Sequence, residues 1–196
     1  MILLSLLGKF ISALSQITNL GAGATWPGEI TLRFKPDILK TYSFGLQKGC
    51  ILVVGTNGKT TTTLMIKKIL ENEGFKILHN ESGANLLNGV VSTFIQNASL
   101  SGRVKADWGV FEIDENSLPG ILQFINPKAL VVLNLFRDQL DRYGEIDVIA
   151  EKWEKALRKL PNETKIILNG DDPQVAYLGK NLKAQVTYFG VEIPKL

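Results

Sequence analysis

Ile51-Leu52-Val53-Val54-Gly55-Thr56-Asn57-Gly58-Lys59-Thr60-Thr61 is the stretch from which the rest of this 196-residue chain can be read. Its four leading residues are apolar and rich in β-branched side chains, the mark of a short strand buried on both faces. Two glycines then break the pattern, and Thr61 to Glu73 reads as a helix with Met65, Ile66, Ile69 and Leu70 on one face and Lys67 and Lys68 opposite. Gly74 stands where a helix ends. A glycine loop between a buried strand and a helix gathers backbone N–H groups at one spot, and the helix dipole favours an anion there. Lys59 adds a positive charge suited to β- and γ-phosphates, and the Thr60 hydroxyl suits a magnesium ion bound to them. Gly55, Thr56, Asn57, Gly58, Lys59, Thr60 and Thr61 are therefore the candidate nucleotide-binding residues, with ATP and magnesium as the ligands. The spacing departs from the usual Gly-x-x-x-x-Gly-Lys-[Ser/Thr], because Val53 occupies the first glycine position. The bland alternative is an ordinary strand-to-helix turn, and the correct elements on both sides weigh against it.

Working outward, the same alternation continues. Phe75 to His79 reads as a strand, Leu86 to Ile95 as a helix, Trp108 to Ile113 as a strand and Leu118 to Phe124 as a short helix. Ala129 to Leu135 is another apolar strand. Ile146 to Leu160 is amphipathic, with Ile146, Ile149, Trp153, Leu157 and Leu160 on one stripe. Lys165 to Leu168 and Gln185 to Phe189 close the chain as strands around a short helix near Val175. Repeated strand–helix units with continuous apolar strands predict an α/β fold of P-loop type, a mostly parallel sheet with helices on both faces. Upstream, Gly21 to Gly28 reads as a connector and Glu29 to Phe34 as a short strand before Pro36. Leu3, Leu6, Leu7, Phe10, Leu14 and Ile17 recur at helical spacing. With Lys9 interrupting the apolar run and no basic leader, this predicts an uncleaved amphipathic helix rather than a signal peptide. The predicted division is a segment 1–45 of helix and connector, followed by a nucleotide-binding domain 46–196.

Composition bounds the partners. Hydrophobic residues make up 45% and charged residues 21%, with a net charge of +3, so disorder is excluded and no basic tract argues for nucleic acid. The one cysteine, Cys50, and the one histidine, His79, offer no disulfide and no zinc spacing, and both read as packing residues in a reducing, cytoplasmic setting.

Further motifs follow the loop in order. They are Asn80-Glu81-Ser82-Gly83-Ala84-Asn85-Leu86, Phe111-Glu112-Ile113-Asp114-Glu115, the run from Leu133 through Asn134, Arg137-Asp138-Gln139-Leu140-Asp141-Arg142 to Glu145, and Asn169-Gly170-Asp171-Asp172-Pro173. Together with Thr25-Trp26-Pro27-Gly28 and the phosphate loop, this set resembles the Mur ligases and folylpolyglutamate synthases. It is most similar to the branch of Mur-ligase-like subunits found in lipid II isoglutaminyl synthases, and the resemblance covers nearly the whole chain.

The resemblance implies an ATP-dependent carbon–nitrogen ligase of peptidoglycan precursor synthesis. Such enzymes pass the γ-phosphoryl group to a carboxylate, and an amine displaces phosphate from the acyl phosphate. In this branch the carboxylate is the D-isoglutamyl group of lipid II, and ammonia comes from a GatD-like glutaminase subunit. That substrate places the chain in the cytoplasm and peripheral to the inner face of the membrane. Glu112 matches the family's magnesium-binding glutamate, joining Thr60 as a metal residue. Lys59 and Asp138 are the catalytic candidates, although Asp138 and Asp141 read equally as loop caps and salt-bridge partners. Asn80, Ser82 and Asn85 could order a ligand or cap a helix. Amino-acid-adding Mur ligases place a metal-binding histidine where this chain has Gln139, and a carbamylated lysine where it has Trp153 beside Lys152. Gln139 counts against a second protein-bound magnesium. Both departures disfavour the two alternative readings of an amino-acid-adding ligase, whether of Mur or folylpolyglutamate type. A nucleotide-binding module without ligase activity is the third. The family's C-terminal domain and four-cysteine zinc module have no counterpart here, so the resemblance implies the N-terminal and central part of a longer enzyme.

Overall fold

A computed structural model describes residues 25–43, 45–80, 83–99, 102–136, 145–180 and 182–191. The amphipathic segment within 1–20, Ser82, Asp138, Gln139 and Asp141 lie outside the described residues. Two helices lead in, α1 (Trp26–Phe34) and α2 (Ile38–Ser43), and strands and helices then alternate. They are β1 (Leu46–Val54), α3 (Lys59–Asn72), β2 (Ile77–His79), α4 (Leu87–Asn97), β3 (Ala106–Ile113), α5 (Leu118–Ile121), β4 (Ala129–Val132), α6 (Glu145–Leu157), β5 (Lys165–Asn169), α7 (Pro173–Leu178) and β6 (Gln185–Phe189). The strands form one six-stranded sheet in the order β2-β3-β1-β4-β5-β6, and every pairing is parallel.

That order decides where a ligand can bind. From β1 the chain passes through α3 to the far edge at β2, then returns through β3 and crosses β1 to reach β4. Right-handed crossovers in opposite directions put α3 on one face of the sheet and α4 on the other. The loop after β1 thus opens at the point where the strand order reverses, the crevice where such sheets take ligands.

The core lies mainly on the α4 side. Leu52 and Val54 of β1, Phe111 and Ile113 of β3, Leu130 and Val132 of β4 and Ile166 and Leu168 of β5 join one buried cluster with Phe94, Trp153, Leu157 and Val175 from the helices. Tyr42 and Phe94 stack with centroids 5.7 Å apart, and Phe94 meets Phe111 at 5.3 Å, so α2, α4 and β3 share an aromatic seam. The alternate residues Ile51, Ala129, Val131 and Ile167 point to the α3 side and are half-buried.

Three local expectations are corrected. Residues Glu29 to Phe34 are helical, and α1 begins at Trp26 within the stretch read as a connector. Pro27 sits in the first turn, where its missing N–H costs nothing, and Glu29 and Arg33 complement the helix dipole at either end. Tertiary contact fixes α1 in place. Gly28 N donates to Ser92 Oγ at 2.8 Å, and a Cβ at Gly28 would lie 1.9 Å from the Asn88 carbonyl oxygen, so only glycine allows α1 to sit this close to α4. The second correction concerns α3, which starts at Lys59 and is rotated from the predicted face, so that Ile66 and Leu70 are half-buried while Met65 and Ile69 point outward. Thr63 is its buried residue, whereas Met65 and Ile69 are each 61% exposed. The third is α2, a helix the sequence reading passed over, whose Ile38 and Leu39 are fully buried.

Cys50 is buried in β1, and desolvation pushes its thiol up to about 12 from the usual 9.0. The folded state therefore keeps a proton that the unfolded chain gives up above its ordinary value. This contribution to stability is intact below pH 9.0 and is lost as pH rises towards 12. Denaturant titrations of the native chain and Cys50→Ala should diverge less as pH climbs through that window, and native Cys50 should resist iodoacetamide at pH 8.

Candidate functional site

The phosphate loop spans the gap from Val54 to Lys59. Gly58 has φ +83 and ends the loop in the left-handed region, which turns the chain into α3. Gly55, at φ +150, is required for a second reason as well, because a Cβ there would stand 2.9 Å from Leu133 Cβ and 3.0 Å from Asn134 N and O. The first turn of α3 leaves the N–H groups of Lys59, Thr60 and Thr61 without helical carbonyl partners, since the first such bond runs from Thr62 N to Gly58 O at 3.0 Å. This 14-residue helix thus presents donors and the positive end of its dipole at the loop.

Glu112 lies one strand over. It pairs in register with Val53 near the end of β3, two residues before Gly55. Its side chain is 5% exposed, and Oε2 accepts a 2.6 Å hydrogen bond from Thr60 Oγ1 while Oε1 takes one of 3.3 Å from Asn85 Nδ2. Both donors are neutral, and among the described residues no cationic side chain forms an ion pair with it. A nearly buried carboxylate without a counter-charge fits a hard cation. No group of three or more His, Cys, Asp or Glu side chains among the described residues could hold a metal by itself. An ion at Thr60 and Glu112 would therefore take its remaining ligands from phosphate oxygens and water, as magnesium does with nucleotides.

The structure separates the asparagines. Asn80 is 1% exposed and braces the backbone, accepting from Glu112 N at 2.9 Å and donating to Glu112 O at 2.9 Å and Ala84 O at 2.8 Å. Asn85 reaches the carboxylate itself. The residue that caps α4 is Leu86, with no side-chain hydrogen bond, so neither asparagine serves as its cap.

Sequence reading missed two contacts. Asn134 clamps the loop: its carbonyl accepts from Thr56 N at 3.1 Å, its Oδ1 accepts from Asn57 N at 2.8 Å, and its Nδ2 donates to Asn57 O at 3.1 Å. Thr56 Oγ1 adds bonds to Phe136 O and N at 3.2 and 3.0 Å. From the other side Asn169 Nδ2 donates to Leu133 O at 2.8 Å, and buried Asp172 accepts from Leu135 N at 2.8 Å while capping α7 through Gln174 N and Val175 N. The second missed contact is Glu115, whose Oε2 lies 3.5 Å from Lys59 Nζ. Trp153, fully buried, donates its indole N–H to the Glu115 carbonyl at 2.8 Å. These pairs are 77 and 56 residues apart in the chain, and no local pattern could have announced them.

The geometry gives Glu112 a testable role. Glu112→Gln should lose most of the tightening of nucleotide binding that magnesium brings, and little of the binding measured in a chelator. Isothermal titrations showing equal losses in both conditions would remove Glu112 from the metal site.

Comparison with known proteins bears on the family and the fold. Residues 53–195 match the family described as the Mur ligase middle domain. The subunit MurT of lipid II isoglutaminyl synthase (glutamine-hydrolyzing) from Streptococcus pneumoniae is 37% identical over 179 residues, covering 91% of this chain and 38% of that protein. The subunit of the same name from Staphylococcus aureus strain COL is 35% identical over 170 residues, covering 87% of this chain and 37% of its own length. The chain thus spans well under half the length of these relatives. Among solved structures, the MurF ligase of Thermotoga maritima in complex with ADP superposes with a TM-score of 0.67 at 17% identity, covering 82% of this chain and 36% of that one. At that identity it speaks for the fold alone.

Proposed function

Because this chain belongs to the Mur ligase family, we propose that it is the nucleotide-binding part of an ATP-dependent carbon–nitrogen ligase acting on a peptidoglycan precursor. The likeness to the MurT subunits supports a finer reading, in which the acceptor is the D-isoglutamyl carboxylate of lipid II and a GatD-like glutaminase supplies the ammonia. A carboxylate oxygen attacks the γ-phosphorus and ADP leaves. Ammonia then attacks the acyl carbon, phosphate leaves, and the nitrogen gives up a proton to form the amide. Phosphoryl transfer of this kind depends on positioning and on neutralising charge. The first-turn N–H groups of α3 and Lys59 would bind the β- and γ-phosphates, and Asn134 would hold the loop in shape. Thr60 and Glu112 would hold magnesium, which when bound supplies the charge that draws electron density from the phosphates. Asp138 is proposed as a further catalytic residue. Among the described residues no helix is long and apolar enough to cross a membrane, and a position at the inner membrane surface is proposed from the lipid-linked substrate.

The observation that carries this reading is the 2.6 Å contact between Thr60 and a buried Glu112 at the mouth of a phosphate loop. An acyl phosphate open to solvent hydrolyses before an amine reaches it, so the chemistry needs a closed site. The 196 residues alone are expected to bind ATP and to produce no amidated lipid II from ATP and ammonia. A chain extended to the length of its relatives should amidate, and should accept glutamine in place of ammonia once the glutaminase is added. Amidation by the short chain at an ordinary enzymatic rate would overturn the need for closure. An extended, glutaminase-supplied protein that leaves lipid II unchanged would remove the isoglutaminyl reading.

A further inference from the structure

We propose that Glu115 weakens the grip of the phosphate loop on nucleotide by competing for Lys59, so that binding begins with the exchange of one anion for another. This rests on the nucleotide site proposed above and adds a residue to it.

An ammonium group has three N–H donors and no acceptor. Lys59 Nζ lies against three oxygens: Gly55 O at 2.5 Å, Thr56 O at 3.1 Å and Glu115 Oε2 at 3.5 Å. Its donors are thus engaged by the protein itself, and an arriving phosphate must displace at least one of them. Of the three only Glu115 is charged, and both side chains of the pair are largely shielded, at 13% and 17% exposed. An ion pair in such surroundings is screened less than one in open water.

Glu115 is also held where it stands. The buried Trp153 indole fixes its backbone carbonyl, and immediately before it Asp114 N donates to Asn85 O at 3.0 Å. Asp114 Oδ1 in turn accepts from Asn116 N and Ser117 N at 3.0 and 3.3 Å, so the turn into α5 is pinned on both sides of Glu115. Its carboxylate therefore remains near the loop when phosphates enter. Glu112 and Glu115 then stand in different relations to the ligand. Glu112 faces Thr60, where a cation would be shared with the nucleotide. Glu115 faces the lysine for which the nucleotide competes, and its own charge opposes the polyphosphate.

Glu115→Gln keeps the shape and the backbone bond to Trp153 while removing both the competition and the repulsion. Titrated with ADP in EDTA, this variant should bind about fivefold tighter than the native chain. Glu115→Asp, which keeps the charge on a shorter stem, should lie between the two. On a Lys59→Ala background the gain from Glu115→Gln should fall well below fivefold, to the part that repulsion alone contributes, a non-additivity that a purely structural role would not produce. Thermal melts of each ligand-free variant establish that the compared chains are folded. Equal or weaker binding by Glu115→Gln, with native binding that Lys59→Ala weakens, would overturn the role of Glu115 and leave the nucleotide site standing. A fivefold gain that persists without Lys59 would show plain repulsion and overturn the exchange. No ADP binding by the native chain would overturn this proposal together with the reading on which it rests.

Discussion

Lys59→Ala is expected to lose ATP affinity by at least ~2 kcal/mol, about thirtyfold in the dissociation constant, while the fold survives. The lysine sits in the first turn of α3, its ammonium against the loop carbonyls of Gly55 and Thr56. Alanine in its place removes the charge and the donors but suits a helix at least as well as lysine does. The loss should therefore appear in calorimetric titration with ATP and not in the circular dichroism melt. Unchanged ATP affinity in a folded variant would show that the loop does not hold phosphate.

Trp153→Ala should have the largest effect on stability, roughly 3–5 kcal/mol. The side chain is fully buried in the cluster that joins α6 to the sheet, so its removal leaves a cavity in that cluster or forces its neighbours to collapse. The Glu115 carbonyl would lose its indole donor as well, adding the cost of an unpaired acceptor. For a chain of this size such a loss lowers the melting temperature by about 10 °C. Urea unfolding checks it directly, and Trp153→Phe, which fills most of the volume and still lacks the N–H, should fall between. If Trp153→Ala unfolds at the native midpoint, α6 is not anchored through this residue.

The two residues also mark what was legible in the sequence. Lys59 could be placed at the loop-to-helix junction because strand, loop and helix follow one another without interruption, so the proposed site is written in consecutive letters. Trp153 was placed correctly on the inner stripe of α6, but its hydrogen bond to Glu115 depends on two elements meeting in space. The phase of α3 was only half right for a related reason. Its apolar residues spread over a wide arc, and Met65 and Ile69 had as good a claim to face inward as Thr63. The loop decided the matter: with Lys59 and Thr60 turned to the site, positions 63, 66 and 70 follow them onto the sheet, and 65 and 69 are carried outward. In α1 the alternation through Ile30, Thr31 and Leu32 imitates a strand. What overrides it is the approach of Gly28 to α4, which propensity does not contain.

Segment 133–136 is gripped by Thr56 and Asn57 on one side and by Asn169 and Asp172 on the other. It is a strut whose two ends rest in different loops. Such an arrangement spares an arriving ligand the entropy of ordering the loop, because the fold has already ordered it. It also makes the two loops thermodynamic neighbours. If nucleotide binds at the proposed site, any effect of loosening Asp172 from Leu135 on that binding would be matched by an equal effect of the nucleotide on the Asp172 contact, since linkage runs equally in both directions. Phe136 leads directly into the run Arg137-Asp138-Gln139. The strut therefore connects the state of the phosphate loop to the entrance of that run by a path of named hydrogen bonds.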